Sequence, residues 1–327
     1  MNTRRKLIIA LGTTALVASF TSLAQQPGRI WRIGFLGVAS ASGYANELEA
    51  IRERLRELGY TEGRNYVFEF RWAEGSADRL KEMAAELVAL KVDVLVTHSN
   101  RGAMAAAQAT KTIPIVVADS ADPVATGLVA SYARPGGNIT GSTSLPTELY
   151  AKRLELLMEA VPRGKRVSVL FNRQALYNAA FFAQMEPVAA RMKVELHQLA
   201  VQALHEFPDA FAAIVNRRTE AVVIGDDPLF NANLGAIAAL AATHRLPAIG
   251  ITSYPSAGGL LGYSANRRLV YSRAANFVDK ILEGANPGDL PIERAAKFDL
   301  VINLKAAKAL GIKIAPQLLQ RADQVID

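Results

Sequence analysis

From Ile30 onward, short β-rich runs alternate with stretches whose apolar residues recur at helical spacing, and this alternation restricts the possible folds more than any other feature. Ile33–Leu36 reads as the first strand. A helix follows over 46–58, with Leu48, Ile51, Leu55 and Leu58 on one face and Gly59-Tyr60 as its stop. Tyr66–Arg71 alternates like an edge strand. The next helix spans 78–90, with Leu80, Met83, Ala84, Leu87 and Leu90 at helical spacing. Strands at Val92–Thr97 and Ile113–Ala118 flank an Ala-rich helix, a short helix is expected over 124–133, and a strand starts at Ile139. The succession then repeats. Helices fall over 150–161, 178–193, 205–216, 231–244 and 271–282, among strands at Val167–Phe171, Val194–Leu199, Ala221–Ile224, Ala248–Ile251, Leu260–Tyr263 and Phe298–Asn303. Such alternation builds parallel sheets covered on both faces. Two rounds predict an α/β chain of two doubly wound, Rossmann-like lobes.

The N-terminus stands apart from this pattern. Arg4, Arg5 and Lys6 precede an uncharged apolar run, Leu7–Phe20, and Ser22-Leu23-Ala24 supplies small residues at a cleavage position. This is the three-part layout of a secretory signal peptide, so residues 1–24 are expected to be removed on export to the periplasm by the Sec or Tat route. The run is shorter than the roughly 20 apolar residues that span a bilayer. Cysteine is absent, which excludes disulfides, a thiolate metal site, a cysteine nucleophile and a lipid anchor. The net charge of +7 includes the three basic residues of the leader. The remaining surplus is diffuse, which argues against nucleic acid as a partner.

The sequence holds no G-x-G-x-x-G after a strand, no P-loop, no H-E-x-x-H and no G-x-S-x-G. Its four histidines, His98, His197, His205 and His244, lack ligand spacing. No catalytic residue, metal site or cofactor is therefore assigned. Ligands of doubly wound sheets sit beyond the carboxyl ends of strands. The candidate ligand-binding residues are therefore Ser40, Ser42 and Tyr44 after the first strand, His98, Ser99 and Asn100 after the third, and Asp119 and Ser120 after the fourth. Their counterparts in the second half are Asn172, Asp226, Asp227, Ser253 and Tyr254. Small polar loops at helix N-termini favour an anionic group, aspartates pair with an ammonium, and tyrosines cover an apolar body. Several have a plainer role: Asp122-Pro123 and Asp227-Pro228 have the form of an N-cap followed by proline at the first helical position. Ser99 or Asn100 fits a cap, and Tyr44 and Tyr254 fit lobe packing.

Leu58-Gly59-Tyr60-Thr61-Glu62-Gly63-Arg64-Asn65 and Arg71-Trp72-Ala73-Glu74-Gly75 resemble the opening of an ABC-transporter substrate-binding family typified by tryptophan/tyrosine uptake components. Ala133-Arg134-Pro135-Gly136-Gly137-Asn138-Ile139-Thr140-Gly141, Ala257-Gly258-Gly259-Leu260 and Lys297-Phe298-Asp299-Leu300-Val301-Ile302-Asn303 continue the resemblance in order. It implies a type I periplasmic-binding fold, its lobes joined by a hinge of crossing strands, without catalysis, a small-molecule ligand, an ABC permease with a cytoplasmic ATPase as partners, and a monomer. It also implies that the chain crosses between lobes near Ser142–Ser144, Tyr263–Ala265 and Lys297. The expected lobes are then 25–143 with about 265–296, and 144–264 with about 297–327. Thr97-His98-Ser99-Asn100 and Ala118-Asp119-Ser120 depart from the family's small apolar or Gly-rich loops, which points to a ligand more polar than an aromatic amino acid. The expected ligand is a small amino acid-like or other organic anion or zwitterion. A protein presenting its ligand to a membrane sensor and an exported α/β enzyme are the alternatives.

Overall fold

The computed structural model describes residues 29–145, 148–175 and 178–327; the expected leader, 1–24, lies outside them. The first half runs β1 (Trp31–Gly37), α1 (Ala45–Glu57), β2 (Tyr66–Trp72), α2 (Ala77–Ala89), β3 (Val94–Thr97), α3 (Ser99–Ala109), β4 (Ile115–Ala121) and β5 (Ile139–Leu145). The second runs α4 (Leu149–Ala160), β6 (Arg166–Asn172), α5 (Asn178–Met192), β7 (Glu195–Val201), α6 (Phe207–Asn216), β8 (Ala221–Ile224), α7 (Pro228–Asn231), α8 (Leu234–Thr243), β9 (Ala248–Gly250) and β10 (Leu261–Ala265). The closing part is α9 (Arg267–Leu282), β11 (Glu293–Arg294), β12 (Phe298–Asn303), α10 (Leu304–Leu310), α11 (Pro316–Gln320) and β13 (Gln324–Ile326).

Two sheets result. Their orders are β11-β5-β4-β3-β1-β2 and β13-β12-β10-β9-β8-β6-β7. Counted within each lobe, both begin 2-1-3-4-5, the flavodoxin-like doubly wound order. Pairing is parallel except between β10 and β12, which are antiparallel. The strands of the first sheet are apolar on both faces because both are covered. Ile33, Phe35, Val94, Val96 and Val116 meet α1 and α9, and Leu36, Leu95, Ile115 and Val117 meet α2 and α3. The second sheet is sandwiched in the same way, α4 and α5 on one side and α6 and α8 on the other. Each buried Leu, Ile, Val or Phe stabilises its lobe by about 1.5–3 kcal/mol.

The chain passes from the first sheet to the second after β5, returns between β10 and α9, and crosses again between β11 and β12. One expected helix is missing: residues 124–133 form turns. Asp122 adopts φ 21°, and its Oδ1 accepts from Ala125 N–H and Tyr132 O–H. Gly127, at φ 71°, then breaks the turn before a second helical hydrogen bond can follow.

Candidate functional site

In 2-1-3-4-5 sheets the strand order reverses between the first and third strands, and the crevice opens beyond that reversal. Here it falls between β1 and β3 in one lobe and between β6 and β8 in the other, and the two crevices face each other. Thr97 at the end of β3 donates through Oγ1 to Leu36 O of β1, 2.9 Å away. Gly102 of α3 lies over that hydroxyl; a Cβ there would meet it at 2.3 Å. The start of α3 is thus pressed onto the reversal, and Ser99, its first residue, takes a left-handed φ of 61°. Such strain in a non-glycine residue persists only where the surroundings enforce it, as at ligand-facing sites.

The cavity between the lobes is lined by Tyr44, His98, Ser99, Asn100, Asp119 and Ser120 from the first half. Asp226, Pro228 and Asn231 come from the second, and Arg267 and Tyr271 from α9. Its free volume is 40 Å³, room for only a few waters. The lobes are closed on one another. Gly43 abuts Ala232 so tightly that a Cβ would come within 2.4 Å of its Cα. Arg101 of α3 donates to Gln174 Oε1 at 2.9 Å and stands 3.5 Å from Asp227.

One wall is aromatic. The Tyr44 and His98 rings are 4.3 Å apart, and Tyr271 lies 6.1 Å from Tyr44. Burial, then the charges of Arg267 and Arg101, pushes the His98 pKa down to about 3, so the imidazole is neutral. Its Nε2 accepts from Val38 N–H at 3.1 Å, which leaves the proton on Nδ1. The Arg267 guanidinium lies over the Tyr44 and Tyr271 rings, at 5.4 and 5.3 Å from their centroids.

The polar wall spans both lobes. Arg267 donates through Nε to Glu47 of α1 at 2.9 Å and stands 4.0 Å from Asp226. Its buried Nη2 has no hydrogen-bond partner, and neither does Asn231 Oδ1. On the same lobe as Arg267, Asp119 accepts from the Ser144 hydroxyl at 2.7 Å and from its backbone N–H at 3.1 Å. Burial nevertheless raises its pKa to about 7, beyond what Arg267 and Ser144 draw it down.

Not every candidate faces this cavity as a free group. Asn100 locks α3 to β4, donating to Ala121 O at 2.7 Å and accepting from Ala121 N–H at 3.0 Å. Ser120 spends its hydroxyl on Ser142 O. Asp226 takes Arg153 Nη2 at 3.2 Å and Asn231 Nδ2 at 2.9 Å. Arg153 is itself wholly buried and hydrogen-bonded to Tyr263 O and Ile224 O. Asp227 caps α7, accepting from Leu229 N–H, and holds Asn172 Nδ2 at 2.8 Å. Ser40 and Ser42 pair with each other at 3.3 Å on the rim.

Ser40, Ser42, Asn172 and Asp227 do not line the cavity, and two further candidates lie away from it altogether. Ser253 is exposed in a polar groove with Thr252, Asn266 and Lys297. Tyr254 is fully buried in the core under α6 and α8, because Gly250 and Gly259 leave room for its ring. Arg267, Tyr271 and Asn231, with the apolar Ala121 and Pro228, are the lining residues missing from the sequence expectation. The signal for Arg267 was Asn266, whose side chain accepts from Leu269 N–H and starts α9 four residues before the expected helix start at Tyr271. Among the described residues no group of three His, Cys, Asp or Glu is placed to hold a metal.

Comparison with known proteins bears on this geometry. A "Tyrosine-binding protein" of Clostridioides difficile (strain R20291) is 25% identical over 260 residues, covering 79% of this chain and 74% of its own. An ABC domain from Streptococcus pneumonia, solved in complex with L-Trp, superposes with a TM-score of 0.83 at 24% identity, over 91% of this chain and 100% of that one. A ligand-free, open substrate-binding protein from Clostridium difficile superposes at 0.63 with 21% identity, over 91% and 99% of the two chains. The fold is that of type I periplasmic binding proteins, with two α/β lobes facing across a cleft. The model of the family described as ABC transporter substrate binding protein matches residues 33–326, and the chain belongs to that family.

Proposed function

We propose that this protein captures a small amino acid, or a zwitterion of similar size, between its lobes and hands it to an ABC permease driven by a cytoplasmic ATPase. One observation carries the ligand class. Arg267 Nη2 and Asn231 Oδ1, from opposite sides of the cleft, are both buried and both unpartnered. A buried polar group without a partner costs about 1–3 kcal/mol, so a ligand supplying both partners gains what the empty cleft lacks. A carboxylate suits the guanidinium. An ammonium suits Asn231 Oδ1 and the Asp119 carboxylate. Ser99, Asp119, His98 and Tyr44 are then ligand contacts. Asn100, Ser120, Asn172 and Asp227 hold the frame, and Asp226 orients Asn231.

The relatives named for tyrosine and tryptophan support an amino acid. The Tyr44, His98 and Tyr271 rings and the 40 Å³ of free space support a small side chain in place of an aromatic one. The closed lobes match the tryptophan-bound relative better than the ligand-free, open one. Ligand therefore enters an open form and draws the lobes shut by its greater affinity for the closed state. Export with removal of residues 1–24, and residence in the periplasm, belong to the same reading.

The test is titration calorimetry of the chain from Gln25 on, with glycine, alanine, serine, tyrosine, tryptophan and benzoate. Saturable binding of a small amino acid, recovered unchanged, is expected, with tryptophan at least a hundredfold weaker. Tryptophan binding tightest would overturn the size argument, and turnover of the ligand would overturn the binding role.

A further inference from the structure

A second cavity lies in the second lobe, between α8, α10 and the segment from Tyr254 to Leu260. The cleft opens at the carboxyl ends of the strands. This cavity lies at the other end, beside the end of α8 and the Asn303 end of the antiparallel β12. Its free volume is 270 Å³, against the roughly 150 Å³ of an apolar cavity that admits benzene. Small side chains on every wall keep it open: Ala238, Ala241 and Ala242 on α8, Ala306 and Ala309 on α10, Gly258 and Gly259 between. Helices packed on a sheet ordinarily fill such a space, since protein interiors are close-packed.

Its polar content is sparse. Asn303 is spent on Pro255 O and Ala306 N–H. Lys305 is exposed at the mouth. Tyr254 is different: it is 0% exposed, and its phenolic oxygen has no hydrogen-bond partner. The ring runs from Gly250, near Cβ and Cγ, to Gly259, near Cε1 and Cζ. The hydroxyl therefore lies at the Gly259 end, beside the cavity that Gly258 and Gly259 help to line. Burial pushes its pKa up, so it stays a neutral phenol able to donate or accept.

We propose that this cavity is a second binding site, separate from the cleft, for a small neutral and mostly apolar molecule carrying one hydroxyl or carbonyl. Its apolar body lies against the alanines and Leu246, Leu260 and Leu310, and its oxygen pairs with Tyr254. A cationic ligand finds no carboxylate in the lining, and the one cation there, Lys305, is solvated, so a neutral molecule fits best. The inference does not depend on what the cleft binds.

Phenol is the probe, titrated into the isotope-labelled chain and followed by backbone amide NMR. Saturable shifts are expected at Ala241, Ala306 and Ala309. Ala309→Leu, at an exposed position on the cavity wall, should abolish them, and Ala242→Leu serves as a second plug should the first disturb α10. Tyr254→Phe keeps the ring and should weaken phenol roughly five- to tenfold. No saturable shift, or shifts that survive both plugs, would overturn the site. Equal affinity in Tyr254→Phe, or a crystal soaked in phenol showing only a water on the Tyr254 hydroxyl, would overturn the assigned partner.

Discussion

Arg267 stands between Glu47 of its own lobe, 2.9 Å away, and Asp226 of the other, 4.0 Å away. The pair with Glu47 is buried, and removing the cation outright would strand a carboxylate at a cost of about 3–5 kcal/mol. Arg267→Lys separates binding from folding, because it keeps the charge and loses the planar fork. The cleft ligand is expected to bind about ten- to a hundredfold more weakly, the size of a lost charge-assisted hydrogen bond. The melting temperature of the free protein should move by only a few degrees. Calorimetry beside thermal unfolding checks both.

Asp119 couples the site to pH. Its carboxyl keeps its proton up to about 7 in the folded chain, against 3.8 for the ordinary group. Between those values the native state holds a proton that the unfolded state has released. Raising the pH across this window therefore costs ligand-free stability, at most about 1.4 kcal/mol per unit. Asp119→Asn should flatten this slope in denaturant titrations from pH 4 to 7. A ligand ammonium favours the ionised form, so affinity should rise with pH, up to about tenfold per unit, and level off above about 7.

Gly43 meets Ala232 across the mouth of the cleft, where a Cβ would stand 2.4 Å from a backbone atom. Gly43→Val should hold the lobes apart without touching either core. Ligand affinity is expected to fall at least tenfold, and the solution-scattering radius with ligand should stay at its ligand-free value. Normal compaction would show that the contact does not limit closure.

Arg101 reaches across to Gln174 and Asp227. Arg101→Ala should shift the ligand-free protein toward the open form and weaken binding about three- to tenfold, the worth of one hydrogen bond, since Asp227 keeps Asn172 and Leu229 N–H as partners. The change should appear mainly in the dissociation rate, measured by stopped flow.

The alternation of strands and helices made two doubly wound lobes legible before any coordinates, because apolar spacing reports burial directly. The strand-end rule also located the loops carrying Tyr44, His98, Ser99 and Asp119. Which side chain turns inward was not legible, since that depends on contacts distant in sequence. Asn100 and Asp119 both line the cavity, yet one spends its amide on the backbone of Ala121 and the other is held by Ser144. Tyr254 satisfied the same loop rule and went into the core, because Gly250 at the end of β9 and Gly259 just before β10 made space for its ring. Arg267 was hidden for the opposite reason: it begins a helix whose apolar face becomes readable only from Tyr271.

The three crossings of the chain also dictate when the protein can fold. The core of the first lobe waits for Tyr271, Ala274, Phe277, Val278 and Ile281 of α9, and the second waits for Leu300, Ile302, Ile314 and Leu318. Neither half is complete as a continuous stretch, so during synthesis the core of the first lobe waits for Ile292 and that of the second for Leu318. A chain denied an early folded domain stays threadable for most of its synthesis, as the proposed export would require of it if the channel passes only unfolded chains.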